Sequence, residues 1–176
     1  PKIDLDDPET LDEIIAGATI GAELQRRGKE GEALVFAKNK QKPYTGWKVI
    51  FHDNGQINHL IQFKDGKYDG LWVAWYESGQ KKSEANYKDG EQDGLWVNWY
   101  ENGQKKTEGN WDKDQRNGLW VNWYENGQKE AESNYKNGKL NGPAKSWYEN
   151  GQKESGGNLK DGKRNGLQLI YNHDGT

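Results

Sequence analysis

Every 24 residues this chain repeats itself. The unit reads Gly-Leu-Trp-Val-x-Trp-Tyr-Glu-Asn-Gly-Gln-Lys-x-x-Glu-x-Asn-Tyr-Lys-x-Gly, followed by three polar residues. It opens at Gly46, Gly70, Gly94, Gly118 and Gly142, with a shortened copy at Gly166. A fixed period of this size means a repeat architecture, in which each unit buries its apolar surface against its neighbours. It also points away from catalysis, which needs different groups converging once. This chain presents the same groups again and again.

Within a unit, Leu71-Trp72-Val73-Ala74-Trp75-Tyr76 reads as a strand, Glu77-Ser78-Gly79 as a tight turn and Gln80–Lys88 as a second strand. Asp89-Gly90-Glu91-Gln92-Asp93 reads as a looser turn. The fold expected is an all-β repeat: an elongated single-layer antiparallel meander of 24-residue hairpins, about 11–13 strands, with a short N-terminal helix. Residues 1–43 form a helix and capping segment, and 44–176 the array. Asp7-Pro8-Glu9 is a helix start, and Leu11, Ile14, Ile15 and Ala18 follow helical spacing to about residue 16. Two strands are expected around Gly28-Lys29-Glu30-Gly31.

A three-residue Glu-Asn-Gly loop with left-handed glycine sets a register. It puts Leu71, Val73, Trp75, Ala85 and Tyr87 on one face. Trp72, Tyr76, Lys82, Glu84 and Asn86 take the other. Two columns then read as core on the apolar face. One is Phe51, Trp75, Trp99, Trp123, Trp147 and Tyr171. The other is Phe63, Tyr87, Trp111, Tyr135 and Leu159. The residues two before the second column, Ala85, Gly109, Ser133 and Gly157, are small enough for neighbouring indoles to close over them. The column Lys48, Trp72, Trp96, Trp120, Ala144, Gln168 does not need Trp for folding. Trp72, Trp96 and Trp120, with Tyr76, Tyr100 and Tyr124, are therefore the candidate binding residues for a protein or a glycan. The competing reading is a cross-strand packing ladder.

Composition narrows the function. Only 31% of residues are hydrophobic, but 9 Trp and 9 Tyr bury much area each. Net charge is −3 with basic and acidic residues interleaved, which argues against nucleic acid. No apolar run approaches a membrane span of about 20 residues, and membrane binding is not expected. With no Cys, three His and no phosphate-loop pattern, neither a cofactor nor a metal site is expected. His52 and His59 fall in one hairpin on opposite faces. The acidic, polar start (Lys2 to Asp7) favours an exported, periplasmic or lipid-anchored protein over a cytoplasmic one.

The motifs Trp-Tyr-Glu-Asn-Gly-Gln-Lys at 99–105, 123–129 and 147–153, Trp-Tyr-Glu-Ser-Gly-Gln-Lys at 75–81, Tyr-Lys-Asp-Gly at 87–90 and Pro43-Tyr44-Thr45-Gly46 carry a resemblance. They resemble the MORN-repeat variant family of bacteria, many of whose members are YwqK-type antitoxins. The resemblance covers about 44–176. It implies a non-enzymatic scaffold or binding platform for another protein, in antitoxin-like fashion. The alternatives are a carbohydrate- or cell-surface-binding module and a subunit that self-associates through its sheet ends or apolar face.

Overall fold

A computed structural model of the chain describes residues 3–29 and 32–172. Among these, α1 spans Pro8–Gly17 and fourteen strands follow. β1 (Thr19–Ile20) precedes a 3-10 turn, and β2 (Leu24–Arg27) and β3 (Leu34–Ala37) form a separate hairpin. The array consists of β4 (Gly46–Phe51), β5 (Ile57–Lys64), β6 (Lys67–Trp75), β7 (Lys81–Lys88), β8 (Glu91–Trp99), β9 (Lys105–Asp112), β10 (Gln115–Trp123), β11 (Lys129–Lys136), β12 (Lys139–Trp147), β13 (Lys153–Lys160) and β14 (Lys163–Ile170). These eleven strands pair in sequence order as an antiparallel meander, and β1 adds to β4 in parallel to make a sheet of 12. At about 4.8 Å per strand the sheet is roughly 53 Å long. The single-layer hairpin array is as the period predicts, and the N-terminal helix starts where Asp7-Pro8-Glu9 places it.

Both turns follow from their residues. In the first, the Gly79 N–H donates to the Tyr76 carbonyl (2.9 Å) and the Tyr76 N–H to the Gln80 carbonyl (2.9 Å). Gly79 sits at φ +83°, so the loop is the expected three residues with glycine left-handed. The second turn is tighter than the sequence reading has it. Lys88 pairs with Glu91, leaving only Asp89 and Gly90 (φ +52° and +97°) between the strands. Asp-Gly suits the two left-handed positions of such a turn. In the third unit Lys113 and Asp114 take these positions without glycine.

The expected distribution of side chains between the faces is corrected by one residue. Trp75 pairs with Lys81 as the loop dictates, but Ala74 then pairs with Ser83, leaving Lys82 extra. The same bulge recurs beside Phe51, Trp99, Trp123 and Trp147. One inserted residue moves the rest of the second strand to the opposite face. Trp72 therefore lies opposite Ala85, and Gly70 opposite Tyr87, while Val73 lies opposite Glu84 and Leu71 opposite Asn86. The two aromatic columns assigned to one core occupy opposite faces. Phe63, Tyr87, Trp111, Tyr135 and Leu159 lie with Trp72, Trp96 and Trp120 on what we term the aromatic face. Trp75, Trp99, Trp123 and Trp147 lie on the other, the helix face.

The core is concentrated at the N-terminal end. On the helix face, Leu5, Leu11, Ile14 and Ala18 pack over Val49, Leu60, Val73 and Trp75. Asp7 caps the helix by accepting from the Thr10 hydroxyl and from the Thr10 N–H (3.0 Å), and these hydrogen bonds, the hydroxyl's foremost, lower its carboxyl pKa. On the aromatic face, the β2–β3 hairpin brings Val35 and Leu24 onto Ile61, Phe63, Tyr68 and Trp72. The N-terminal segment thus clamps the first units from both sides. Of the expected core residues, Trp75 and Phe63 are buried, but Phe51 is 40% exposed. Trp99, Trp123, Trp147, Tyr171, Tyr87, Trp111, Tyr135 and Leu159 are half-buried, because nothing in a single layer covers them beyond the clamp.

Candidate functional site: the aromatic face

One row of residues crosses the sheet: Lys48, Ile61, Trp72, Ala85, Trp96, Gly109, Trp120, Ser133, Ala144, Gly157 and Gln168, neighbours pairing directly except at Gly109 and Trp120, where the β9–β10 register is irregular. Large and small residues alternate through its middle, so each indole can lie over its small neighbour. At Gly109 the approach is close enough that a Cβ would sit 2.2 Å from the Trp120 ring. The principle of indoles closing over small residues holds, but the indoles are Trp96 and Trp120.

These rings form a connected ladder. Trp96 stacks on Trp111 at 5.3 Å and 26°, and Trp120 meets Trp111 edge-on at 5.3 Å. Trp120 also contacts Trp96 (6.3 Å) and Tyr135 (6.2 Å). The Arg116 guanidinium lies 4.4 Å from the Trp120 ring centroid, between Trp111 and Tyr135. At 6% exposure Trp120 is buried, and its indole N–H donates to the Asn110 carbonyl (3.1 Å). Trp72 and Trp96 are half-buried.

Beside the ladder runs a row of small polar residues, including Ser83, Asn98, Thr107 and Asn122. Asn98 is fixed by accepting from the Ser83 hydroxyl (2.6 Å) and the Trp96 indole N–H (2.9 Å). Ladder and polar row enclose an open recess of about 180 Å³ lined by Trp96, Asn98, Thr107, Arg116, Trp120, Asn122, Ala131, Ser133 and Tyr135. Arg116, Thr107 and the asparagines are functional candidates that the repeat consensus hides. Arg116 stands where other units carry Tyr44, Tyr68, Gln92, Leu140 or Arg164, a position with no consensus, so only a search for departures from the repeat finds it.

The three tyrosines have a structural task. The Tyr76 hydroxyl donates to the Trp99 carbonyl (2.9 Å), Tyr100 to Trp123 (2.8 Å) and Tyr124 to Trp147 (2.8 Å), each stapling one unit to the next. Burial foremost, and then nearby glutamates, raise all three phenol pKa values above their ordinary value. His52 occupies the tyrosine position of the first unit and does the same work, its Nε2 meeting the Trp75 carbonyl at 3.0 Å. His59 lies on the aromatic face against Trp72 (5.2 Å). Its pKa is lowered by burial first, then by the charges of His52, Lys82 and Lys48. His173 lies outside the described residues. Among the described residues no cluster of three or more His, Cys, Asp or Glu is placed to hold a metal ion.

The spacing of these rows is that of the repeat, and the repeat is recognised at four places. The sequence profile of the MORN repeat variant family matches residues 68–89, 92–113, 116–137 and 140–161, together half of the chain. The chain belongs to the MORN repeat variant family. No curated protein matches it. MORN repeats are generally associated with protein- and membrane-binding modules rather than with catalysis, and the matched units carry most of the aromatic ladder.

Proposed function

We propose that this MORN-variant array is a non-enzymatic protein-binding module that docks its partner on the aromatic face around Trp72, Trp96 and Trp120. The observation that carries this reading is the recess between Trp96 and Tyr135, where aromatic rings, an arginine, the fixed Asn98 amide and further amide and hydroxyl side chains converge on a part of the face the N-terminal clamp leaves open. Aromatic and arginine side chains in such surroundings are the usual energetic centres of protein interfaces. The same geometry argues against a sugar platform. Stacking a pyranose needs a free ring face, whereas Trp96 is stacked on Trp111 and Trp120 lies beneath Arg116. Tyr76, Tyr100 and Tyr124 hold the rim of the docking face in register. An antitoxin-like role is one form of this reading, with a toxin protein as the partner.

Two single substitutions on opposite faces test it. Ala131→Arg fills the recess, and Leu119→Arg places the same bulk and charge on the helix face, where Leu119 is half exposed. Proteins captured from the native host, the chain itself included, are expected to be lost with Ala131→Arg and kept with Leu119→Arg. Retention of every captured protein by a folded Ala131→Arg variant would refute the assignment.

A further inference from the structure

The bulge residues of successive units form a column on the rim of the aromatic face: Lys82 on β7, Lys106 on β9, Glu130 on β11 and Glu154 on β13. Lys82 and Lys106 are held there, their Nζ atoms lying 5.2 Å from the Tyr76 and Tyr100 ring centroids. Glu130 and Glu154 are close enough to Tyr124 to act on its phenol. The column therefore reads plus, plus, minus, minus. A half-turn about an axis lying along β10 exchanges β9 with β11 and β7 with β13. It sets each lysine against a glutamate of the second molecule, four ion pairs in all.

The same half-turn matches shape. Two strands from β10 the Trp row is bulky on the N-terminal side (Trp96) and small on the C-terminal side (Ala144), and farther out Ala85 meets Gly157 and Trp72 meets Gln168. The axis passes over Trp120 and Arg116, so the one like-charge contact, Arg116 with its own mate, stands against the four ion pairs, and it brings Trp96 onto Ala144 of the other copy. The β2–β3 hairpin covers this face only near β5 and β6. The half-turn carries those positions to β14 and beyond it, so the hairpins flank the overlap instead of colliding within it. Ile170, 83% exposed on β14, shares the face with Ser155 and falls at that end. The overlap left free between the hairpins, from β7 to β13, is about 29 Å by 20 Å, roughly 600 Å² per copy and about 1,200 Å² in total, the lower edge of the range for specific interfaces. The helix face offers no such plus-to-minus reversal: its column Lys81, Lys105, Lys129, Lys153 has one sign throughout, and the first three lysines are already ion-paired within the chain to Glu84, Glu108 and Glu132.

We propose that the partner on the aromatic face is a second copy of this chain, docked face to face and antiparallel about a two-fold axis along β10. This rests on the docking reading above and names its partner. The interface is isologous, closing as a dimer without open ends.

Sedimentation equilibrium on charge-reversed variants tests it, with circular dichroism as the control for folding. Lys82→Glu/Lys106→Glu makes the column wholly negative, and Glu130→Lys/Glu154→Lys makes it wholly positive. Each variant alone is expected to weaken dimerisation roughly 50-fold or more at low salt, through lost pairs and new repulsions. An equimolar mixture of the two should dimerise, and the fourfold variant, again self-complementary, should recover the wild-type constant. Wild-type protein that stays monomeric at tens of micromolar, or a dimer indifferent to these reversals, overturns the proposal. In that event loss of capture by Ala131→Arg would still stand as support for docking on this face.

Discussion

Gly109 and Trp120 offer the sharpest energetic test of the register. Trp120 is buried among Trp96, Trp111, Tyr135 and Arg116, directly over Gly109. A tryptophan buries about 200 Å², worth roughly 5 kcal/mol at 25 cal/mol per Å² as an upper bound. Trp120→Ala should therefore cost about 4 kcal/mol, within the range for emptying a large aromatic site. Trp123→Ala, on the half-buried helix face beneath Lys105, should cost about 2 kcal/mol. Gly109→Ala meets no backbone strain, but its Cβ would lie 2.2 Å from the indole, so the ring must move. Overpacking of this kind costs about 2 kcal/mol. With Trp120 removed, the same methyl group has room. The double variant should then cost about as much as Trp120→Ala alone, a coupling of about 2 kcal/mol. Gly156→Ala is the control: its Cβ meets nothing nearer than 3.9 Å, and stability should hardly change. Urea melts followed by circular dichroism give all five values. Additive costs for Gly109→Ala and Trp120→Ala, or a Trp123→Ala cost above that of Trp120→Ala, would mean that the faces are assigned the wrong way round.

Other outcomes follow from single contacts. Lys113 sits at φ +50° where other units carry Asp or Asn, so Lys113→Asn should stabilise the chain by about 0.5–1 kcal/mol, read as a raised Tm; a lowered Tm contradicts the turn assignment. Tyr100→Phe removes the hydroxyl that donates to the Trp123 carbonyl and should cost about 1 kcal/mol in urea melts; no loss would deny the staple. The raised phenol pKa values of Tyr76, Tyr100 and Tyr124 mean that the folded state keeps protons the unfolded chain releases. Their contribution is complete below the unfolded value near 10 and is lost as pH rises through the folded values. Alkaline melts should show this fall, and the triple Tyr→Phe variant should flatten it. Deleting residues 1–22 uncovers Val49, Leu60 and Val73, so sedimentation should show new self-association; a truncated chain as stable and as monodisperse as the full one would rule out a capping role.

The period made the hairpin array legible before any coordinates, because strand length, turn residues and spacing all agree. Asp7 and Pro8 likewise announced the helix. The faces were not legible from loop geometry alone, since the bulge at Lys82 follows a correctly read loop. A signal for it was present. Lys81 and Glu84, Lys105 and Glu108, and Lys129 and Glu132 are ion-paired three residues apart. In a regular strand such residues point to opposite faces, so a Lys-x-x-Glu pattern kept across units implies an inserted residue between them. Arg116 and the asparagine row were hidden for another reason: a consensus reports what units share, and this recess is built from what one or two units have alone. The second half of the N-terminal clamp was also unreadable, because β2 and β3 carry no repeat pattern and their docking on Phe63 is purely tertiary.

The central claim is that partners meet the aromatic face and not the helix face. Hydroxyl-radical footprinting compares the two directly, because each carries aromatic or large apolar side chains that report oxidation. The protein is labelled as a dilute free chain and again in complex, at concentrations where it associates. Trp96 and Tyr135 should lose reactivity on association, while Trp123 and Leu119 stay as reactive as in the free chain. Protection of Trp123 and Leu119 with Trp96 and Tyr135 unchanged would contradict the account.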